Sequence, residues 1–237
     1  RRHKTAKSAG QAMGRGKSGR TAPLPCRVRL GYTGAKSHFQ FQSKGSDTMR
    51  VFINPGHHPG IDPGACAGGY TEADIARDIG GKLLGYLKTV GMATKLIQSD
   101  NLCNDSPGYP CVVDTANDWP ADIFISIHLN AFTDTAARGT ETLIYAEGGE
   151  AETLAGFIQA QLIDAIDLPD RGIKERPDLA VLRYTDMPAV LVEIGFITND
   201  DDRAIILANL DHIAAAIARG VTDYENHLLE NFKRTDV

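Results

Sequence analysis

The chain has 237 residues, of which 42% are hydrophobic and 23% charged, enough apolar content for an ordinary globular core. Its net charge of −5 conceals an asymmetry. Residues 1–50 contain 12 basic residues and one acidic residue, a charge of +11, whereas residues 51–237 contain 13 basic and 29 acidic residues, a charge of −16. The acidic body argues against nucleic acid as the main partner, and no apolar run is long enough to span a bilayer.

Residues 1–48 are rich in Gly, Ser, Lys and Arg and show no hydrophobic period. This composition predicts a disordered basic leader, because it cannot bury enough apolar surface to become ordered. It is not typical of a secretory signal, since no apolar segment follows the positive charges. A nucleic-acid-binding arm, an attraction to an anionic cell-wall polymer and a merely solvated tail remain alternatives. We expect one folded domain over residues 49–237.

Strand-like and helix-like patterns alternate from residue 50 onward. In chain order they predict a strand at 51–54, a helix at 72–90, a strand at 92–97, a helix at 112–118, strands at 122–127 and 139–145, a helix at 150–166, strands at 180–183 and 189–193, and helices at 200–208 and 210–231. This alternation predicts an α/β fold whose sheet is mostly parallel, with helices on both faces.

Three of the predicted strands carry a possible metal ligand at or just beyond their C-terminal ends. These apolar runs lead to His57, His128 and Glu193. The carboxyl ends of parallel strands meet at one edge of a sheet, which is where open α/β folds bind ligands. The pattern therefore predicts a metal site along that edge.

Each candidate also has an ordinary structural explanation. His57 lies in a Pro/Gly turn, where His58 is a rival ligand. Glu72 lies in the first turn of a predicted helix, where the helix dipole alone favours an acidic residue. A lone histidine that closes an apolar strand, as His128 does, is most often a core residue. Glu193 is the hardest to explain without a functional role, because a carboxylate in an apolar run needs a partner or a raised pKa.

Taken together, the candidates have a consistent chemical meaning. Two histidines and one glutamate are typical of catalytic zinc, which keeps its fourth position for water. A second glutamate that is not a ligand supplies the general base that such a site needs. No HExxH motif is present, so the sequence excludes a thermolysin-like protease.

Six short motifs follow one another between Met49 and Gly220. They are NPGH at 54–57, TEAD at 71–74, SIHLNA at 126–131, RGTET at 138–142, DRGIK at 170–174 and MPAVLVEIGF at 187–196. In these motifs the chain resembles the zinc-dependent N-acetylmuramoyl-L-alanine amidases, a large family of bacterial and phage cell-wall hydrolases. The first motif departs from the common family pattern D-P-G-H-G-G, because Asn54 replaces the acid and His58 follows His57.

The resemblance implies that His57, Glu72 and His128 hold a Zn²⁺ ion and that Glu193 is the catalytic carboxylate. It also implies a single catalytic domain with a twisted, mostly parallel sheet and peptidoglycan as the substrate. The enzyme would act on the cell wall, as an autolysin or a phage endolysin, by an export route that the sequence leaves open. Glu141 either assists at the same edge of the sheet or faces solvent.

Other functions remain open at this stage. A zinc carboxypeptidase uses a similar ligand set and would need an arginine for the substrate carboxylate, for which Arg138, Arg171 and Arg183 are candidates. A binding module that has lost its chemistry, whether for cell wall or nucleic acid, is the remaining class. Cys103 and Cys111 flank a Pro/Gly-rich loop and are either bridged or free, since spacing alone does not determine connectivity.

Overall fold

The computed structural model describes residues 48–106 and 108–235. The strands are β1 (Arg50–Pro55), β2 (Cys66–Ala67), β3 (Tyr70–Thr71), β4 (Ala93–Leu96), β5 (Ile123–Asn130), β6 (Thr140–Ile144), β7 (Asp170–Glu175) and β8 (Ala189–Phe196). The helices are α1 (Glu72–Thr89), α2 (Val112–Asp118), α3 (Glu150–Ala165), α4 (Ala180–Arg183), α5 (Asp200–Ala208) and α6 (Leu210–Thr235). The predicted basic leader lies outside the described residues, apart from residue 48, and stays a prediction.

The main sheet has the strand order β4-β1-β5-β8-β6-β7. Strands β4, β1, β5 and β8 run parallel to one another. Strand β6 is antiparallel to β8, and β7 is parallel to β6. The predicted α/β class with a mostly parallel sheet is therefore confirmed, and β5 and β8 lie at its centre.

The central strands are buried on both faces, as their continuous apolar runs predict. Alternate residues point to opposite sides of the sheet. Val51 and Ile53 of β1 belong to a core cluster that also contains apolar residues of α1, α3 and α6. Phe52, between them, joins Phe124 of β5 in a second cluster with α2 and α4, and these two rings stack at 5.4 Å. Helices thus cover both faces, as expected.

Helix α1 illustrates how sequence and packing agree. Its apolar residues Ile75, Ile79, Leu83 and Leu87 recur every fourth position and are all buried. Thr71 is its N-cap, and the Thr71 hydroxyl accepts a hydrogen bond from the backbone N–H of Asp74 at 3.2 Å. This cap starts the helix at Glu72, which places that carboxylate in the first turn beside the sheet edge.

Some expected elements were wrong or missing. Residues 180–183 form a short helix rather than a strand, because a run of four largely apolar residues has no distinguishing period. Strand β7 and the small β2–β3 hairpin were not predicted. Strand β7 is a charged edge strand interrupted by Gly172, so it lacks an apolar alternation. Strands β5 and β8 continue three residues beyond their predicted ends.

Cys111 is a free thiol that donates a hydrogen bond to the carbonyl of Leu102 at 3.2 Å. The Cys103–Cys111 bridge is therefore not formed.

Of the helices in the described ranges, none is by itself long and apolar enough to cross a membrane. By length and composition alone α5 and α6 together pass such a test, but they meet at a 77° bend. Ile213, Ile217 and Val221 of α6 are buried in the core against α1 and α3.

Candidate metal centre

His57 lies directly after β1, in a turn that brings it over the end of the sheet. The N–H of Gly56 donates to the carbonyl of Ile127 at 2.8 Å and ties the start of this turn to β5. His57 itself has a φ of 59°, a left-handed backbone conformation that is uncommon for a residue with a side chain. Its ring Nδ1 lies 2.6 Å from Oδ2 of Asp62, and its Nε2 lies 3.2 Å from Oε2 of Glu72.

Glu72 is a buried carboxylate, 4% exposed, at the first position of α1. Its Oε1 accepts the backbone N–H of Leu129 at 3.1 Å, and its Oε2 accepts the N–H of Ala65 at 3.0 Å. Each oxygen also faces one histidine, Oε2 facing His57 and Oε1 facing His128. Backbone donors therefore hold the carboxylate between the two rings.

His128 approaches from β5, with its Nδ1 2.9 Å from Oε1 of Glu72. A Cβ added at Gly56 would come within 2.3 Å of the His128 ring, so only glycine leaves room for the ring there. Strand β5 shifts its register against β8 between His128 and Asn130. Such irregularities are common beside active sites, where they re-aim side chains.

The three side chains form one group of potential ligands. Each of His57, Glu72 and His128 offers one ligand atom, and these atoms lie within 4.8 Å of one another. The rings of the two histidines meet edge to face with centroids 5.1 Å apart. The structure thus brings together the three residues predicted as ligands from well-separated parts of the sequence.

The electrostatics of this group favour a cation. Burial alone would raise the pKa of Glu72, but hydrogen bonds and charges from His128 and His57 hold its pKa well below the usual range. The hydrogen bond to Glu72, reinforced by Asp62, raises the pKa of His57 to about 9 against the opposing effect of burial. Glu72 is thus ionised, as a metal ligand must be, whereas His57 releases a proton when its ring binds an ion.

Glu193 lies on β8 beside this group, paired with His128 across the two parallel strands. Its Oε2 is buried and finds no hydrogen-bond partner within the ranges that the structure covers. Burial, together with the charges of Glu72 and Glu141, raises the pKa of Glu193 to about 7, although His128 and His57 oppose the rise. This pKa lies in the range where a carboxylate exchanges protons at neutral pH.

Glu141 pairs with Glu193 on the other side, across the antiparallel β6–β8 ladder. It does not face solvent, since only 8% of its surface is exposed. Its Oε1 accepts the amide N–H of Asn130 at 2.8 Å, and its Oε2 accepts Nε of Arg171 at 2.9 Å. The Arg171 guanidinium also lies over the ring of Phe196 at 5.0 Å. Glu141 is therefore engaged in a polar network, whereas Oε2 of Glu193 has no hydrogen-bond partner in the part of the chain that the structure describes.

His58, the rival ligand, does not join the group. Its ring packs against Tyr109 with centroids 5.1 Å apart. Asp62, which contacts the Nδ1 of His57, was not among the predicted site residues. No signal in the sequence distinguished this residue from other loop acids, because its contact with His57 depends on how the intervening turn folds.

A cavity of about 270 Å³ opens beside the candidate ligands. One wall is apolar and contains Leu102, Leu179, Val181 and Leu191, whereas Asp62, Asp100 and Asp105 make another part acidic. Because His57 and His128 also line it, a substrate in this cavity would touch the ligand group directly.

Comparison with known proteins agrees with this geometry. Residues 51–223 match the model of the N-acetylmuramoyl-L-alanine amidase family. The chain is 36% identical over 158 residues to the sporulation-specific N-acetylmuramoyl-L-alanine amidase of Bacillus subtilis (strain 168). This alignment covers 65% of this chain and 58% of that amidase. It is also 36% identical over 187 residues to an endolysin of Bacillus phage SPP1. This alignment covers 74% of this chain and 66% of the endolysin.

The chain therefore spans 58% and 66% of the length of these two curated relatives. Among solved structures, the N-acetylmuramoyl-L-alanine amidase AmiC2 of Nostoc punctiforme superimposes with a TM-score of 0.67 and 30% sequence identity. That match covers 77% of this chain and 99% of AmiC2. This chain belongs to the N-acetylmuramoyl-L-alanine amidase family.

Proposed function

We propose that this protein is a zinc-dependent hydrolase that cleaves the amide bond between N-acetylmuramic acid and L-alanine in peptidoglycan. His57, Glu72 and His128 hold the zinc ion, and Glu193 is the general base. The observation that carries the proposal is the convergence of three ligand atoms beside Oε2 of Glu193, a buried oxygen that has no hydrogen-bond partner among the described residues. The similarity to N-acetylmuramoyl-L-alanine amidases of Bacillus subtilis and Nostoc punctiforme supports the choice of substrate.

The donor set suits zinc in composition and in spacing. Two imidazoles and one carboxylate are a familiar catalytic zinc set, whereas Mg²⁺ and Ca²⁺ select oxygen ligands. One ligand atom from each of His57, Glu72 and His128 lies within 4.8 Å of the others, so the three side chains would hold a single ion together.

The chain's own residues then carry the proton transfers. A zinc ion at this site supplies Lewis acidity, which polarises the scissile carbonyl and acidifies the attacking water. Oε2 of Glu193 accepts a proton from that water as the oxygen bonds to the carbonyl carbon. Glu193 then delivers this proton to the nitrogen of L-alanine as the C–N bond breaks. A pKa of about 7 suits both halves of this task.

The carboxypeptidase alternative needs an arginine that is free to bind a substrate carboxylate. Arg138 donates from Nε to Asp202 at 2.8 Å, and Arg171 donates from Nε to Glu141 at 2.9 Å. Both guanidinium groups are thus occupied in part by the protein's own carboxylates. The third candidate, Arg183, has its guanidinium over the ring of Tyr184 at 5.5 Å, so analysis of the products must separate the two activities. The complete ligand set likewise argues against a module that has lost its chemistry, so the amidase is the favoured function.

The test is to digest purified peptidoglycan with the protein and to analyse the products by mass spectrometry, with and without a chelator. Release of intact stem peptides with a new L-alanine amino terminus, lost on chelation and restored by zinc, is the expected result. Release of single C-terminal amino acids would instead identify a carboxypeptidase. Activity that persists after zinc has been removed, as verified by metal analysis, would contradict the assigned cofactor.

The substrate also determines where the enzyme acts. Peptidoglycan lies in the cell wall, so the proposed site of action is the wall itself, whether the protein serves as an autolysin or as a phage endolysin. Deletion of residues 1–48 should leave hydrolysis of purified peptidoglycan unchanged if the basic leader has no part in catalysis.

A further inference from the structure

The two ring nitrogens of His57 have different partners. Nδ1 lies 2.6 Å from Oδ2 of Asp62, whereas Nε2 lies 3.2 Å from Oε2 of Glu72. A neutral imidazole carries one N–H and one lone pair. If Nδ1 donates its N–H to Asp62, the lone pair must be on Nε2, which is the nitrogen that faces the other candidate ligands.

Asp62 is itself held in place by the turn that contains it. Its backbone N–H donates to the carbonyl of His58 at 3.0 Å, and its carbonyl accepts the N–H of His58 at 2.9 Å. Its Oδ1 accepts the N–H of Gly64 at 3.1 Å. Three hydrogen bonds therefore fix the turn from which the Asp62 carboxylate reaches His57.

The same stretch of chain contacts the second candidate ligand. The N–H of Ala65 donates to Oε2 of Glu72 at 3.0 Å. Gly64 has a φ of 66°, and a Cβ there would come 2.6 Å from Cδ2 of His57 and 2.7 Å from Oε2 of Glu72. Residues 62–65, which we name the positioning turn, thus pack closely against two ligands at once.

We propose that Asp62 is a positioning residue that holds His57 in the Nδ1-protonated tautomer and directs its Nε2 at the metal. Outer carboxylates of this kind fix ring orientation and raise ligand basicity, and their loss typically weakens metal binding about 10- to 100-fold. The inference rests on the proposed function only for the identity of the ion as zinc, and it does not depend on which amide bond the enzyme cleaves.

The experiment measures zinc affinity of the full chain by competition with a chromogenic chelator, for wild type, Asp62→Ala, Asp62→Asn and Asp100→Asn. Asparagine retains an oxygen that can accept the Nδ1–H, whereas alanine does not. Asp100 is the matched control, because it lines the same cavity but its carboxylate accepts a hydrogen bond from Ser106 at 3.0 Å. Circular dichroism of each variant verifies that the fold is retained.

We expect Asp62→Ala to weaken zinc binding about 10- to 100-fold, Asp62→Asn to weaken it less, and Asp100→Asn to stay within about twofold of wild type. Ring ¹⁵N shifts of zinc-loaded protein should show His57 protonated at Nδ1 in the wild type and in Asp62→Asn. A loss for Asp100→Asn as large as that for Asp62→Ala would mean that any acidic residue of the cavity has the same effect on zinc binding, and it would overturn the assignment.

Two further results would also overturn the inference: an Asp62→Ala protein that binds zinc as tightly as wild type, and a wild-type His57 protonated at Nε2. Failure of the wild-type chain to bind zinc would overturn both this inference and the proposed cofactor. Tight zinc binding without cleavage of peptidoglycan would overturn the proposed function alone and leave the role of Asp62 standing.

Discussion

His128 and Glu193 occupy directly paired positions on the adjacent parallel strands β5 and β8. Glu141 is paired with Glu193 from the other side, so one candidate ligand and two carboxylates form a row across three strands. Because the side chains of a strand alternate between faces, a slip of one residue in β8 would turn Glu193 to the opposite face. The register of the sheet therefore decides whether the candidate base lies beside the candidate metal ligands.

Glu193→Gln should abolish amide cleavage while zinc remains bound. The amide matches the carboxylate in shape but cannot accept a proton, so we expect a loss of about 10²- to 10⁴-fold in kcat. Release of new amino termini from peptidoglycan and zinc content per chain are the measurements. Glu225→Gln, which changes a partly buried glutamate on α6, is the matched control and should retain full activity. A Glu193→Gln protein whose kcat is close to that of the wild type would refute the assignment of Glu193 as the base.

The raised pKa of Glu193 predicts a pH-dependent cost in stability for the metal-free protein. The native state binds this proton up to a pH of about 7, whereas the unfolded chain releases it near the ordinary pKa of 4.5. The native form thus holds more protons between these values, and its stability falls as the pH rises through that window. A shift of this size corresponds to about 3 kcal/mol.

Glu193→Gln removes this cost, because its side chain does not titrate. Urea unfolding of chelated wild type and Glu193→Gln should show the variant gaining stability relative to wild type between pH 4 and pH 8, by up to about 3 kcal/mol. A stability difference that stays constant over this range would show that Glu193 ionises in the folded protein as it does in water.

Gly56→Ala should displace His128 and weaken zinc binding. The added methyl group would lie 2.3 Å from the His128 ring, so either the ring or the backbone at residue 56 must shift. Gly81→Ala is the control, since its added Cβ meets no atom within 4 Å on the exposed side of α1. That substitution should stabilise the protein by about 0.5 to 1 kcal/mol through helix propensity.

Zinc titration and thermal unfolding separate the two glycine variants. Gly56→Ala is expected to lose zinc affinity and activity together, whereas Gly81→Ala should keep both and unfold at a slightly higher temperature. Equal zinc affinity in Gly56→Ala and wild type would show that the close approach of this backbone does not position His128.

Asp202→Ala should be strongly destabilising, because this carboxylate is fully buried and serves several donors. Its Oδ2 accepts the backbone N–H groups of Gly139 and Phe196, and its Oδ1 accepts Nε of Arg138. Two buried amides left without acceptors should cost about 3 kcal/mol in the free energy of unfolding.

Asp201→Ala is a close control for this prediction. Asp201 contacts the same Arg138 at 3.4 Å, but 76% of its side chain is exposed. Exposed ion pairs of this kind contribute at most about 1 kcal/mol. Chemical denaturation of both variants makes the comparison, and similar midpoints for the two proteins would contradict the role assigned to Asp202.

Much of the fold was predictable because its signals are local. The apolar runs of β1, β5 and β8 and the four-residue spacing in α1 are set by which residues each element must bury. Helices α2 and α5 occupy the predicted residues. The predictions failed where local signals are weak. Residues 180–183 are too few to distinguish a strand from a short helix, and the charged edge strand β7 lacks an apolar alternation.

The sequence by itself determined most of the strands and helices, and it placed His57, His128 and Glu193 at or near strand ends. Only the tertiary structure decided that Glu72, on a helix, lies between two histidines, that Asp62 contacts the Nδ1 of His57, and that Cys111 stays a free thiol. Periodicity and capping act between neighbours in the chain, so a single sequence reveals them. The distances within the candidate metal centre depend instead on strand register and on turns whose side chains meet only after the sheet has assembled.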